Sequence, residues 1–291
     1  MAPIKLSIII PTYNEEEDIG ECLKSLEDQD PIDMEIIIVD DGSTDRTREI
    51  AQSFKNIKLI SGEHKGPGFS RNLGAKEATG DILIFVDADM TFEKAYLKNL
   101  ISPLIEDKQQ KVIGSTHDYE EAKNIDNMLS DLWGKIRITT KDKNPKVYAG
   151  DVKIFRAIWK NKFFELGGFD SKYGYADDQT FWFKHSIKPT LANNTICYHK
   201  NPETLSETFK QARWIGASWK ERYWFFKTPI IKYFAVIALF LLLPFIVLLK
   251  TINQKRNSKY SFYDLITFYL YKFTGFSVGV FRAVYLGTIW K

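Results

Sequence analysis

The sequence predicts an α/β fold with a mostly parallel sheet and helices on both faces, followed by membrane-associated helices. In the first hundred residues, apolar runs rich in Ile and Val alternate with segments whose apolar residues recur three and four apart. Buried strands and amphipathic helices have these two patterns, and their alternation is typical of parallel sheets with crossover helices. Near the C terminus, a long uncharged run predicts the membrane part.

The first hundred residues contain four predicted strands, each an apolar run that stops at Pro, Asp or Gly or near one of them. They are residues 6–10, 35–39, 57–60 and 82–86. Four predicted helices follow them: residues 15–26, a helix capped by Ser43 or Thr44 that runs to about residue 54, a helix after a loop within residues 66–78, and residues 93–105. Right-handed crossovers then place the loops after these strands at one edge of the sheet, where open α/β sheets hold their ligands.

Beyond residue 112 the pattern is less regular. It predicts strands at 112–115 and 195–198, an extended segment at 147–155, and helices at 120–138, 157–165, 179–186 and 204–227. The last of these helices interleaves aromatic and basic side chains. That composition suits a membrane interface.

Residues 233–249 are seventeen residues without a charge, near the lower limit of the roughly 20 that span a bilayer. Residues 262–290 carry only three charges and predict either a second span or a helix lying in the interface. The link between the two segments is basic, which conflicts with the positive-inside tendency if the first segment spans and the preceding domain is cytosolic. A re-entrant hairpin bent at Pro244 would remove the conflict, so the topology stays open.

Composition sets further limits. The chain has 291 residues and a net charge of +3, too small to predict nucleic-acid binding. Cys22 and Cys197 are far apart in sequence and give neither a disulfide framework nor a metal-binding spacing. No signal peptide precedes the first strand, so we expect the catalytic face to be cytoplasmic.

Asp87 and Asp89 follow a buried strand one residue apart. Carboxylate oxygens are the ligands that Mg²⁺ and Mn²⁺ prefer, and these ions usually bridge protein and phosphate. Two more acidic pairs, Asp40-Asp41 and Asp177-Asp178, also lie next to predicted element ends. The sequence therefore predicts a divalent-metal site at the edge of the sheet.

Five motifs occur in order: Pro11-Thr-Tyr-Asn-Glu15, Val39-Asp-Asp-Gly-Ser-Thr-Asp45, Ser70-Arg-Asn-Leu-Gly74, Asp87-Ala-Asp89 and Ala176-Asp-Asp178. Together they resemble family 2 glycosyltransferases with the GT-A fold, over roughly residues 4 to 215. The resemblance implies a GT-A domain at 1–202, an amphipathic interfacial helix at 203–229, and a membrane-associated region at 230–291 with one or two transmembrane or re-entrant segments.

The resemblance also implies roles for single residues. The donor nucleotide sugar, a GDP- or UDP-hexose, would contact Pro11, Thr12, Tyr13, Glu15, Asp41, Arg71 and Asp87. A carboxylate only accepts hydrogen bonds, so Asp41 suits a ring N–H of the base, although turn formation is a compatible role. Asp87, Asp89 and, as a third ligand, His199 would hold Mn²⁺ or Mg²⁺; a structural role for His199 is the alternative.

Asp178 matches the position of the family's catalytic base, which takes a proton from the acceptor hydroxyl. One base without a second nucleophile implies a single displacement with inversion. Asp177 would contact the acceptor. The family usually has an acidic residue two positions after the base, where this chain has Thr180.

Lys210-Gln-Ala-Arg-Trp214 resembles the Gln-x-x-Arg-Trp motif of cellulose-synthase-like members, with Lys210 in place of the first Gln. Arg213 would bind the donor diphosphate and Trp214 the acceptor. The departure at Lys210 and the short membrane region argue against a polymer-translocating pore.

The leading hypothesis is an inverting, metal-dependent glycosyltransferase at the cell membrane. It would move mannose or glucose to a lipid-linked saccharide or glycolipid. Two alternatives remain: a polyprenyl-phosphate hexose synthase similar to dolichyl-phosphate mannose synthases, and a non-catalytic nucleotide-sugar-binding scaffold. A nucleotidyltransferase would need a Gly-rich basic loop after the first strand, which the turn 11–15 lacks.

Overall fold

The structure is a computed structural model that describes residues 4–287 except 108, 110, 137–151, 229 and 257. The described residues fall into two compact units. One is drawn from Met1–Lys123, Thr139–Ser171 and Asp177–Lys200, and the other from Asn124–Ile138, Lys172–Ala176 and Asn201–Lys291. Each unit is described by itself.

The first unit is built on an eight-stranded mixed sheet. Its strands are β1 (Leu6–Thr12), β2 (Met34–Asp40), β3 (Ile57–Ser61), β4 (Ile82–Phe85), β5 (Met90–Phe92), β6 (Gly114–Ala122), β7 (Ala157–Trp159) and β8 (Thr190–His199). Their order across the sheet is β3-β2-β1-β4-β7-β6-β8-β5. The first four strands pair in parallel. β7 is antiparallel to both its neighbours, and β5 is antiparallel to β8.

Helices cover both faces of this sheet. They are α1 (Ile19–Glu27), α2 (Thr47–Ser53), α3 (Pro67–Glu77), α4 (Tyr96–Glu106), α6 (Lys160–Glu165) and α7 (Thr180–His185), with α5 belonging to the second unit. Successive strand residues point to opposite faces. Ile8 and Ile10 therefore belong to the core that includes α1 and α4, whereas Ile9 belongs to the core that includes α3 and α7. The α/β class and the helices on both faces are confirmed.

Several predicted elements after residue 112 differ in the structure. The expected helix at 120–138 is wrong in its first half, because β6 continues to Ala122 and pairs with β8. The expected helix at 157–165 begins with strand β7, which pairs with β4. Both errors have one cause: pairing with a strand distant in sequence decides the local structure. The expected extended segment at 147–155 lies mostly outside the described residues.

The second unit is helical. It contains α5 (Met128–Ile136), α8 (Leu205–Ala217), α9 (Trp219–Arg222), α10 (Trp224–Lys227), α11 (Ile231–Lys255) and α12 (Phe262–Phe281), followed by a π-helical segment Arg282–Leu286. The single helix predicted at 204–227 is thus three short helices. The chain is extended at Tyr223, between α9 and α10. Thr204 caps α8 by accepting from the Glu207 amide.

Among the helices that the structure describes, α11 alone is long and apolar enough to cross a membrane. Its large apolar side chains are widely exposed, including Phe234, Leu241 and Leu249. α11 is continuous through Pro244, so the re-entrant hairpin bent at that proline, one of the topologies left open, is not what the structure has; the chain turns between α11 and α12 instead. In α12, the Lys272 ammonium lies 3.8 Å from the centre of the Trp133 ring, so this charge faces protein.

Candidate active site

The carboxyl ends of β1, β2 and β4 bring the candidate donor-binding loops to one edge of the sheet. These strands are parallel neighbours, with Thr12 of β1 in register with Asp40 of β2. Pro11 and Thr12 end β1, with Pro11 partly exposed and Thr12 buried. Among the described residues, the Thr12 hydroxyl has no hydrogen-bond partner. A buried hydroxyl without a partner is costly, which makes this edge a suitable place for a polar ligand.

The turn after β1 is fastened to the turn after β2. Asn14 has a positive φ of 56°, and its side-chain oxygen accepts from the Thr44 amide at 2.8 Å. The Ser43 hydroxyl accepts from the Asn14 amide, and the Thr47 hydroxyl accepts from the Glu15 amide at 2.7 Å. The motif segments 11–15 and 39–45 therefore form one rigid piece, in which Glu15 is partly buried.

Asp41 fastens a third loop to this piece. One carboxylate oxygen accepts from the Lys65 amide at 3.1 Å and the other from the Gly66 amide at 2.7 Å. In the same loop, the His64 ring packs on Tyr13 with centroids 4.6 Å apart. Turn formation by Asp41 is therefore present in the structure. Each carboxylate oxygen can accept more than one bond, so the predicted contact with a base remains compatible.

Asp87 is held by two arginines. One oxygen lies 2.6 Å from Arg71 and the other 3.0 Å from Arg156, and both guanidinium groups are buried. Burial alone would raise the pKa of Asp87, but Arg156 and Arg71 hold it well below its ordinary value. Both oxygens of Asp87 are thus already paired with cations.

Asp177 is the second partner of Arg71, at 2.7 Å, and its side chain is only 1% exposed. Burial raises its pKa to about 7, against the lowering effect of Arg71. Its carboxylate lies so close to Gly68 that a Cβ there would come within 2.5 Å of it. The structure therefore places Asp177 as an internal partner of Arg71. Asp177 is buried, and its predicted contact with an acceptor stays a prediction.

Asp178 follows in the same turn and is partly buried. Its negative charge interacts with Arg71, Arg156 and Asp177. Thr180, at the family's usual acidic position, is buried; its hydroxyl donates to the Asp177 carbonyl at 2.6 Å and accepts from the Asp170 amide. Thr180 therefore supports the backbone that carries the acidic pair.

Asp89 and His199 lie together, as predicted from two distant segments. Met90 of β5 is in register with His199 of β8. The imidazole Nε2 is 3.1 Å from Asp89, and Nδ1 is 3.1 Å from Glu120 on β6. Burial alone would lower the pKa of His199, but Asp89 and Glu120 raise it to about 10.

The second oxygen of Glu120 continues this chain of contacts. It lies 3.1 Å from His117 Nε2, and His117 Nδ1 is 3.3 Å from the Tyr96 hydroxyl and 3.5 Å from the Cys197 sulfur. His117, Glu120 and Cys197 also form a group whose ligand atoms lie within 4.8 Å of one another. Because both His117 nitrogens face protein partners, we interpret these residues as the support of His199.

Asp89 and His199 fit a divalent cation that takes the place of the imidazole proton facing Asp89, because a histidine binds metal only in its neutral form. A partly exposed carboxylate next to an imidazole matches the oxygen and nitrogen ligands that Mn²⁺ accepts. A carboxylate behind the second imidazole nitrogen is the usual support of a metal-binding histidine. Asp87, by contrast, has both oxygens engaged by guanidinium groups.

Arg213 and Trp214 belong to the second unit, on α8. The Trp214 ring packs edge-on against Tyr175, with centroids 5.0 Å apart. Arg213 is partly buried. Burial and the nearby Arg282 lower its pKa. Their predicted contacts with donor and acceptor stay predictions.

Four residues of this arrangement were not predicted: His64, Glu120, His117 and Arg156. Arg156 immediately precedes β7, and a basic residue at a strand end is a weak signal. His117 and Glu120 lie in a polar stretch of the sequence that is typical of an exposed segment. Its importance depends on the pairing of β6 with β8.

The family model for Glycosyl transferase family 2 matches residues 7–164. The chain therefore belongs to glycosyltransferase family 2. Among individual relatives, EpsJ of Bacillus subtilis, an uncharacterized glycosyltransferase, is 29% identical over 223 residues, or 71% of this chain and 64% of EpsJ. The poly(ribitol-phosphate) β-N-acetylglucosaminyltransferase TarS of Staphylococcus aureus is 39% identical over 103 residues, which cover 33% of this chain but only 18% of TarS.

Solved structures agree on the fold. The mannosyltransferase PcManGT from Pyrobaculum calidifontis, in complex with GDP-Man and Mn²⁺, superimposes with a TM-score of 0.59 at 22% identity, covering 97% of this chain and 88% of that one. TarS residues 1–349 with UDP-GlcNAc give a TM-score of 0.51 at 23% identity, covering 74% and 66%. At this identity the likeness shows the fold, and the expected GT-A fold is confirmed.

Proposed function

We propose that this chain is an inverting glycosyltransferase that moves a hexose from a nucleoside diphosphate sugar to a hydroxyl of a lipid-linked saccharide or glycolipid. The observation that carries the proposal is that Asp87 and Asp89 have different surroundings. Two buried arginines hold Asp87, whereas Asp89 has His199 beside it and is partly exposed. A site of this kind is suited to holding a cation and a diphosphate next to a base.

Asp89 and His199 would hold the cation. A divalent ion there supplies positive charge to the diphosphate of the departing nucleotide. The joined turns 11–15 and 39–45, with the Tyr13 and His64 rings, would hold the nucleoside. The structure of PcManGT is a complex with GDP-Man and Mn²⁺ and that of TarS a complex with UDP-GlcNAc, which supports the donor class without choosing the nucleotide.

Asp178 would act as the base. Its carboxylate takes the proton of the acceptor hydroxyl as that oxygen bonds to C1 of the sugar. The bond from C1 to the phosphate oxygen breaks, and the nucleoside diphosphate leaves with the electron pair. Attack from the face opposite the leaving group inverts C1. An acceptor phosphate would already be ionised, so a base in this position favours a hydroxyl acceptor over the polyprenyl-phosphate alternative.

The second unit would attach the enzyme to the membrane. The exposed apolar surface of α11 is costly in water and is stabilised in lipid. A membrane-attached enzyme meets lipid-linked acceptors in the bilayer. The catalytic unit would lie on the cytoplasmic side.

Calorimetric titration of the detergent-solubilised chain with UDP and GDP, with and without Mn²⁺, tests the donor site. We expect Mn²⁺-dependent binding of one nucleotide. Asp89→Asn should abolish the increase in nucleotide affinity that Mn²⁺ causes. The matched control Asp28→Asn, at an exposed position just after α1, should keep that increase. Folded protein that binds neither nucleotide would refute the donor site.

Transfer of labelled hexose into membrane lipid extracts tests the reaction. Asp178→Asn should lower turnover by about 10²-fold or more while nucleotide binding is retained. Nucleotide binding by the wild-type chain without any transfer would favour the scaffold. Transfer to a polyprenyl phosphate that is insensitive to Asp178→Asn would favour the synthase alternative.

A further inference from the structure

Two arginines of the second unit, Arg213 on α8 and Arg282 just after α12, lie near the place where these helices cross. The crossing is close because Gly279 of α12 faces the Arg213 carbonyl of α8, and a Cβ at Gly279 would overlap it. Arg282 lies three residues after Gly279, which on a helix is the neighbouring position of the same face. The helix crossing therefore brings Arg282 towards Arg213.

The two guanidinium groups repel each other. Burial and the charge of Arg282 both lower the pKa of Arg213, and both side chains are partly buried. Within the part of the chain that the structure describes, no acidic side chain forms an ion pair with either of them. Like charges held together without a counter-charge are costly, and a bound anion would remove that cost.

An open apolar groove lies between α11 and the end of α12, where the residue before Arg282 lines it. It is lined by Val236, Ile237, Phe240 and Leu241 of α11 and by Phe281 and Tyr285, which lie one residue before and three residues after Arg282. Tyr285 belongs to the π-helical segment that begins at Arg282; such segments are frequent at functional sites. A cationic pair next to an apolar groove complements a ligand with an anionic head and an apolar chain.

We propose that Arg213 and Arg282 bind the phosphate of a membrane lipid whose chain lies in the groove formed by α11 and α12. Guanidinium groups pair with phosphate in a fixed, bidentate geometry. A soluble phosphate compound would leave the groove unfilled, so charge and shape together select a lipid phosphate. The inference rests on the proposed function, since a lipid-linked acceptor brings such a phosphate to the enzyme.

Binding of radiolabelled farnesyl phosphate to the full chain in detergent tests the site, with farnesol, inorganic phosphate and UDP or GDP as competitors. We expect farnesol and inorganic phosphate to compete at least tenfold more weakly than unlabelled farnesyl phosphate, because each has only one half of the ligand. Arg282→Gln should weaken binding about tenfold or more, and Arg282→Lys by less. Arg256→Gln removes an exposed arginine from the other end of α11 and should leave binding unchanged.

Two further results complete the test. Phe240→Ala should weaken farnesyl phosphate but not inorganic phosphate. Competition by UDP or GDP as strong as that by farnesyl phosphate would assign Arg213 and Arg282 to the donor diphosphate and overturn the lipid site. Equal losses of farnesyl phosphate binding in Arg282→Gln and Arg256→Gln would also overturn the lipid site. If the wild-type chain binds farnesyl phosphate as expected but no nucleotide, the proposed function fails and the lipid site stands.

Discussion

Replacing Arg71 with Met tests whether the buried ion pairs hold the candidate site together. The guanidinium group donates to Asp87 at 2.6 Å and to Asp177 at 2.7 Å. Methionine keeps much of the apolar stem of arginine but removes the charge. Asp87 keeps Arg156 at 3.0 Å, whereas Asp177 loses the ion pair that balances its buried charge.

The expected cost follows from burial. The side chains of Arg71 and Asp177 are 8% and 1% exposed, so the pair is a buried one. Removing one partner of a buried pair costs about 3–5 kcal/mol. That is a large fraction of the roughly 5–15 kcal/mol by which domains are stable. Asp177→Asn should cost less, because Arg71 still pairs with Asp87.

Chemical denaturation at pH 8, followed by tryptophan fluorescence, measures the change in the free energy of unfolding. The matched control is Arg46→Met, which breaks an ion pair with Glu16 whose side chains are 72% and 37% exposed; it should cost at most about 1 kcal/mol. The double variant Arg71→Met/Asp177→Asn should be more stable than the sum of the single losses predicts, by about 1 kcal/mol or more. An Arg71→Met loss no larger than the Arg46→Met loss, or additive losses, would refute the reasoning.

Three further predictions concern other parts of the chain. Burial raises the pKa of Asp177 to about 7, above its unfolded value of about 3.9. Between about pH 4 and 7 the folded state therefore binds one more proton than the unfolded state, so the free energy of unfolding should fall as the pH rises through this range. Asp177→Asn should flatten this fall. Glu120→Gln should weaken Mn²⁺ binding about 10- to 100-fold, measured by electron paramagnetic resonance, because Glu120 positions His199; Glu121→Gln, next in sequence, should not. Gly279→Val should lower the midpoint of thermal unfolding by several degrees, because its side chain would overlap the facing helix.

Contrary results have clear meanings. A pH dependence that Asp177→Asn leaves intact would show that another group titrates. Equal Mn²⁺ affinities of the Glu120→Gln and Glu121→Gln variants would show that the imidazole needs no carboxylate support. A Gly279→Val variant as stable as the wild-type chain would show that α8 and α12 have room to separate.

The first four strands and their helices could be predicted because local pattern and tertiary position agree there. Ile8, Ile9 and Ile10 are all buried, as the continuous apolar run of a parallel strand requires. The acidic residues at the strand ends could also be identified, because parallel strands bring their carboxyl ends to one edge. Asp89 and His199 were named as partners only through the family resemblance.

The remaining features depend on contacts that no local pattern encodes. β7 is three residues long, and its pairing with β4 in the register Ile84 to Ala157 is what directs Arg156 to Asp87. Glu120 reaches His199 only because β6 runs parallel to β8 beside it. In both cases a residue with an unremarkable neighbourhood in sequence gains its role from a strand more than 60 positions away.

Charge balance explains why the candidate site needs both arginines and still suits a cation. Asp87, Asp177 and Asp178 lie close enough to influence Arg71, and Asp87, Asp178 and Glu120 influence Arg156, so four carboxyl groups share two guanidinium groups. Burial of Asp177 eases this excess of negative charge by raising its pKa to about 7, so that near and below neutral pH a larger share of Asp177 is protonated. A diphosphate would add negative charge to this cluster, and a divalent cation beside it would offset that charge. On this reasoning, nucleotide should bind weakly without the metal, and metal and nucleotide should strengthen each other's binding by the same factor.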